Sequence, residues 1–163
     1  MNIKPNLLDS FTYLGETINV EWFEVDNIED FPDVAWQQVY SIANTNGKVG
    51  LVYDASGRSN LPGGKTEAGE TIEQTLRREL AEEMNYRVVD WRPLGYQRLT
   101  NSTGDSVYQI RVYAKIEKIG DFVTDTGGGV VGHKFVDLSQ LNDEIQYGKV
   151  GLRMIEMVST DFK

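Results

Sequence analysis

Glu79, Glu82 and Glu83 crowd the stretch "LPGGKTEAGETIEQTLRRELAEEMNY", Leu61 to Tyr86, in a chain whose formal net charge is already −9. At about 3.6 residues per turn, the three carboxylates fall within an arc of about 100° on a helix. Like charges three and four residues apart face each other, and each such pair costs about 0.2–0.5 kcal/mol when nothing neutralises it. A hard divalent cation would neutralise them: Mg²⁺ takes oxygen ligands, a few carboxylates at a time, and fills its other positions with water and phosphate oxygens. Just upstream, Gly63 and Gly64 let the backbone approach a ligand closely, ahead of a helix whose N-terminus favours anions. Each half alone is bland, since acidic helix faces are commonly only solvated and Pro-Gly-Gly is commonly only a turn. The chemistry rests on their joint spacing.

The elements that must position these groups are legible around them. Thr71 followed by Gln74 fits a capping box, Ile72, Leu76, Leu80 and Met84 recur every four residues, and Asn85 can take the left-handed conformation that ends a helix. Before the helix, "ASGRSNLPGGK" breaks all periodicity and reads as a loop. Strands are expected near Gln38–Ala43 and Val49–Asp54, joined by a tight turn at Asn46-Gly47, and "TYLGETINVEWFEV" reads as a strand pair or one long strand. Beyond the helix, "YRVVDW" and "LGYQRL" read as strands broken at Pro93. In "SVYQIRVYAKIEKI", Ile110, Val112, Ala114 and Ile116 fall on one face and Arg111, Tyr113, Lys115 and Glu117 on the other. A Gly-rich loop, "TDTGGG", precedes a last strand, "VVGHKFVDL", and the tail reads as one or two helices with Ser139 as a cap. This order predicts a single domain over residues 1–163, an α/β sandwich around a mixed sheet.

Composition narrows the function. At 163 residues with 40% hydrophobic residues, the chain can bury one sizeable core. It has no cysteine, so metal chemistry here uses oxygen rather than thiolate. The acidic balance argues against a long nucleic acid or an anionic membrane as partner. The opening "MNIKPNLLDSF" lacks an apolar run long enough for a signal peptide, and the expectation is a cytoplasmic protein. A small anionic substrate fits, provided that a cation stands between it and the glutamates. A homodimer is left open.

From Gly64 the sequence runs five residues to Glu70, seven more to Arg78-Glu79, then Leu80, one residue, and Glu82-Glu83. This closely resembles the Nudix box of the Nudix hydrolases, G-x5-E-x7-R-E-U-x-E-E-x-G-U with U a bulky apolar residue. Every charged position matches; Asn85 and Tyr86 stand where the box has its glycine and last aliphatic residue. The resemblance implies an α/β/α sandwich and cleavage of a pyrophosphate linkage in a nucleoside diphosphate joined to another moiety, with a nucleoside triphosphate as the default. It implies Glu79, Glu82 and Glu83 as ligands of Mg²⁺ or Mn²⁺, with the carbonyl of Gly63 contributing. Glu70 and Arg78 would be an ion pair that orients those ligands. A purely structural Arg78, relieving repulsion from Glu82, predicts a milder effect of its removal.

Many family members carry a further acidic residue in the loop before the last strand, where this chain has Gly127-Gly128-Gly129. Asp121 and Asp125 are the nearby substitutes for a general base, each weighed against a plain loop aspartate. Without them, the base falls to a box glutamate such as Glu82, or to a water made more acidic by the ion. His133, the lone histidine, sits in an alternating strand and reads as exposed or structural. Trp22, Trp36, Trp91, Tyr96, Tyr108 and Tyr113 could stack on a base but read as core. The alternative function is a non-catalytic Nudix-like nucleotide sensor. Against it stands the intact set of carboxylates, which nothing but an ion requires to be clustered.

Overall fold

A computed structural model describes residues 3–125 and 128–163 of the chain, the side chains of Trp36 and Gln37 excepted. Strands β1 (Leu7–Tyr13) and β2 (Glu16–Glu24) form an opening hairpin, so the first β-prone run is a pair rather than one strand. Next come β3 (Trp36–Thr45) and β4 (Lys48–Asp54), turning at Asn46 and Gly47, both at positive φ (52° and 77°) as this tight hairpin demands. After β5 (Ser59–Asn60) and β6 (Gly63–Lys65) the chain enters α1 (Ile72–Met84) and then the long strands β7 (Tyr86–Thr100) and β8 (Ser106–Lys118). Strand β9 (Val130–Val136), α2 (Leu141–Ile145) and α3 (Gly148–Val158) complete the order.

Among the described residues the strands form one mixed sheet in the order β1-β2-β7-β8-β3-β4-β5, with β6 paired to β3 and β9 to β4. Every pairing is antiparallel except β3 with β8. One face packs on α1 through Leu76, Leu80 and Met84 against Val39, Ala43, Ile110, Val112 and Ala114. The other packs on α2 and α3 through Leu141, Ile145, Val150 and Met154 against Trp22, Ile42, Leu51 and Leu94. The result is the expected α/β/α sandwich around a mixed sheet.

Four local expectations change. The segment read as a loop before α1 is partly sheet: Gly63 and Gly64 pair with Tyr40 and Val39, which ties the start of the box to the central strands. Pro93 does not break a strand, because register shifts between Val88 and Asp90 and between Pro93 and Gly95 carry β7 past it. The face of β8 expected to be polar is half covered: Arg111 and Tyr113 are only 2% and 8% exposed, while Lys115 and Glu117 do reach solvent. Helices on both faces of a sheet remove the contrast on which an alternation argument depends. Ser139, finally, lies inside the short 3₁₀ turn Leu138–Gln140, and the capping position falls to Asp137, whose N–H donates to Gln140 Oε1 at 3.0 Å.

The aromatic residues read as core are core where described. Trp22 is fully buried, Tyr96 stacks on Phe23 with centroids 4.7 Å apart, and Tyr113 is buried beneath α3 and the tail. Trp91 and Tyr108 pack partly buried against the α1 layer, and the Trp36 side chain lies outside the described residues.

Candidate active site

Helix α1 is fixed at both ends by groups that the sequence announced. Gln74 N–H donates to Thr71 Oγ1 at 3.1 Å and Thr71 N–H to Gln74 Oε1 at 2.9 Å, a complete capping box. At the other end Asn85 adopts φ 60°, ψ 46° and sends its backbone N–H to Ala81 O at 3.0 Å. Its side chain does more than a glycine could, since Nδ2 donates to Asp121 O at 2.9 Å and so pins the turn after β8 to the helix end. With Leu76, Leu80 and Met84 facing the core, Glu79 and Glu83 are turned towards β6.

Glu83 is only 6% exposed and accepts a hydrogen bond from Gly63 N–H at 2.7 Å. Burial, then the negative charges of Glu79, Asp125 and Glu82, push its carboxyl up to about 8 against the opposing pull of that N–H. Glu79 is also raised, by burial first, with Glu82 and Asp125 adding to it and Arg78 opposing. Glu82 lies at the exposed rim. This is a cluster of buried or half-buried oxygen donors carrying more negative charge than its one resident cation offsets. Hard oxygen ligands with an excess of buried negative charge are the donor set of a hard divalent cation.

Arg78 is that resident cation. It grips Glu70 with two parallel bonds, Nε to Oε2 at 2.8 Å and Nη2 to Oε1 at 2.9 Å. Its remaining hydrogens reach Lys65 O at 2.8 Å, Glu79 Oε1 at 3.0 Å and Glu82 Oε2 at 3.3 Å. Glu70 is lowered to about 2, chiefly by this guanidinium. The structure thus joins Glu70, Arg78, Glu79 and Glu82 in one network. Among the described residues no three acidic or histidine side chains are gathered around a single point, and Glu79 and Glu82 are both paired to Arg78.

The two glycines differ in how strictly sterics require them. Gly63 sits at φ +152°, and a Cβ there would lie 2.1 Å from Val39 O; a Cβ on Gly64 would lie 2.4 Å from Glu79 Oε1. The second clash is with a flexible side chain that can move, the first with backbone that cannot. Gly63→Ala is therefore expected to unpair β6, release Glu83 and lower stability by about 2–3 kcal/mol, read by urea unfolding. A loss below about 0.5 kcal/mol would contradict the steric account.

The substitutes for the missing loop acid separate. Asp121 is bonded to Lys118 Nζ at 2.9 Å with its side chain 96% exposed, whereas the charge of Asp125 is felt by both Glu79 and Glu83. Gly128 lies against Asp125, and a Cβ there would stand 2.4 Å from Oδ2; Gly127 falls outside the described residues. His133 packs edge-on among Tyr86, Phe122 and Phe135, and burial lowers its pKa, as suits a structural histidine.

Sequence reasoning passed over one neighbour of the site. Tyr40, paired with Gly63, is close enough for Glu79 and Glu83 to raise its hydroxyl further after burial, and it stacks on the buried Arg111 at 4.8 Å. Both residues line a cavity of about 1140 Å³ on the α2 side of the sheet. No signal in β8 alone could have distinguished Arg111 from a surface arginine.

Comparison with known proteins agrees with this geometry. The NUDIX domain model matches residues 38–156, and the chain belongs to that family. Among solved structures it is similar to the Bacillus subtilis pyrophosphohydrolase BsRppH, with a TM-score of 0.71 and 22% identity over 94% of this chain and 96% of that one. It is also similar to a NUDIX hydrolase from Nitrosomonas europaea (TM-score 0.62, 20% identity, 79% of this chain and 92% of that one). An ADP-ribose pyrophosphatase from Streptococcus suis matches with a TM-score of 0.52 and 15% identity over 75% of this chain and 90% of that one. Identities this low speak for the fold alone. A comparison with curated protein sequences returns no match. No helix among the described residues is long and apolar enough to cross a membrane.

Proposed function

We propose that the protein is a divalent-metal-dependent pyrophosphohydrolase acting on a nucleoside diphosphate joined to another moiety, with a nucleoside triphosphate as the default substrate. The observation that carries this reading is the buried Glu83, held by Gly63 N–H among the charges of Glu79, Glu82 and Asp125. Nothing in the folding of a small domain requires a carboxyl to be buried beside three other carboxylates.

Glu79, Glu82 and Glu83 would hold Mg²⁺ or Mn²⁺, with the Gly63 carbonyl beside them. The ion would offset charge on the diphosphate and raise the acidity of the attacking water. Glu70 keeps Arg78 fixed through its two-pronged bond, so that Glu79 and Glu82 can turn from the guanidinium without losing their anchor. Asp125 faces the same charges and would accept the proton of the water as its oxygen bonds to phosphorus and the phosphoanhydride P–O bond breaks. Small, acidic and without a membrane span among its described helices, the protein suits a dissolved nucleotide in the cytoplasm.

The test is release of phosphate or pyrophosphate from nucleoside triphosphates, nucleotide sugars, ADP-ribose and dinucleoside polyphosphates, with Mg²⁺ and with chelator, alongside Asp125→Asn. Metal-dependent turnover of one class is expected, with kcat in Asp125→Asn about 100-fold lower. Silence across the panel, from folded protein whose melting temperature a nucleotide still raises, would replace the hydrolase by the non-catalytic sensor. Full activity in Asp125→Asn would remove that residue as base.

A further inference from the structure

The guanidinium of Arg111 is the least explained group in the molecule. Strand β8 delivers it to the sheet face covered by α2 and α3, where it is 2% exposed. Tyr40 and the ring of Tyr147 flank it, with centroids 4.8 and 5.3 Å from Cζ. Nη1 donates to Ile110 O at 3.2 Å and Nη2 to Gln109 Oε1 at 3.0 Å, but the buried Nε has no hydrogen-bond partner among the described residues. Burial drives its pKa down, opposed only by the phenols of Tyr147, to which it also hydrogen-bonds, and Tyr40, and it forms no ion pair with a carboxylate among the described residues. A buried cation without an anionic partner, and with an N–H left unbonded, opposes folding on both counts.

Its position suggests what it serves. Arg111 lines the 1140 Å³ cavity together with Tyr40, Gln97, Gln109 and Tyr147. Tyr40 is paired with Gly63, whose N–H holds Glu83, so one residue separates the guanidinium from the glutamate cluster. The cavity is also lined by Asp9, Glu16, Asp105 and Asp143, which repel a free anion and admit a neutral, planar group. Such a group needs an oxygen acceptor to complete Nε.

We propose that Arg111 is a specificity-determining residue whose Nε–H receives a carbonyl oxygen of the substrate's nucleobase. The cavity then takes the nucleoside half while the box glutamates take the diphosphate end, an assignment that rests on the nucleotide-hydrolase reading above. A site built around an unpaired donor discriminates strongly against an analogue that lacks the acceptor.

Binding is measured by calorimetry with Ca²⁺ present, a hard cation that the glutamates can hold between themselves and a phosphate. The probes are inosine 5′-monophosphate against purine riboside 5′-monophosphate, uridine 5′-monophosphate against its 4-deoxy analogue, and inorganic pyrophosphate. In at least one pair the member with the additional carbonyl, at C6 of the purine or C4 of the pyrimidine, binds wild type at least tenfold more tightly. In Arg111→Met that preference shrinks to within about twofold, pyrophosphate binding is unchanged, and the nucleotide-free melting temperature rises because the unpaired cation is gone. Wild type that binds both members of each pair equally, or binds none, overturns the proposal without recourse to a variant. Loss of both members and of pyrophosphate together in Arg111→Met makes the group a phosphate contact and overturns it as well. A protein that discriminates the pairs yet hydrolyses nothing sinks the hydrolase reading and leaves this one; hydrolysis without discrimination does the reverse.

Discussion

Glu83→Gln is expected to lower metal-dependent kcat/KM by at least about 100-fold, or about 2.7 kcal/mol at 1.36 kcal/mol per decade, while leaving the metal-free protein no less stable than wild type. The substitution is close to isosteric, and the glutamine Oε1 can still accept from Gly63 N–H, so the anchor of β6 on α1 survives. What disappears is the negative charge, which burial already disfavours so strongly that the carboxyl is pushed up to about 8. In the metal-free state near neutral pH that carboxyl is already largely protonated, so the substitution changes little there, whereas it deprives an ion of its most buried ligand. Thermal unfolding separates the two effects: metal at ten times its Kd stabilises wild type by about 1.4 kcal/mol through mass action and should do so far less in the variant. A variant that unfolds earlier than wild type without metal would mean that Glu83 is chiefly structural.

Arg78→Ala is expected to lose about 2–3 kcal/mol of stability, together with a fall in activity of about 10- to 100-fold. The guanidinium joins Glu70, Glu79, Glu82 and the Lys65 carbonyl, and its removal leaves a half-buried Glu79 facing the negative charges of Glu82 and Asp125 without the cation that offsets them. The magnitude discriminates between roles. If Arg78 did no more than relieve repulsion from the exposed Glu82, the loss would be only about 0.2–0.5 kcal/mol. Urea unfolding with and without Mg²⁺ decides the matter, since an ion at the box would restore part of the missing positive charge and hence part of the stability. Arg78→Lys should behave much like alanine towards Glu70, because an ammonium cannot make the two parallel bonds.

The site was legible in the sequence to the extent that its interactions are local. The box spacing lies within one helix and its approach, so the pairing of Glu70 with Arg78, the Thr71 and Gln74 cap and the left-handed Asn85 could be read before any packing was known. Interactions set by the path of distant chain could not. Asp121 and Asp125 are equivalent as sequence, and only the turn pinned by Asn85 sends one to Lys118 and the other towards the glutamates. The pairing of Gly63 with Tyr40 depends on β3 lying beside the box, which "LPGGK" does not announce. Arg111 looked solvent-facing because α2 and α3, which cover that side of β8, come from a tail more than twenty residues further on. The break expected at Pro93 disappears because bulges, themselves a product of sheet pairing, absorb the missing N–H.

The central claim, that the box glutamates exist to hold a hard divalent cation, is tested most directly by titrating Mn²⁺ into wild type and Glu83→Gln and counting bound ion by paramagnetic resonance. The account predicts binding to wild type that Mg²⁺ competes away, and at least tenfold weaker binding to the variant. Equal binding by the two proteins, or none by either with nucleotide present, would contradict it.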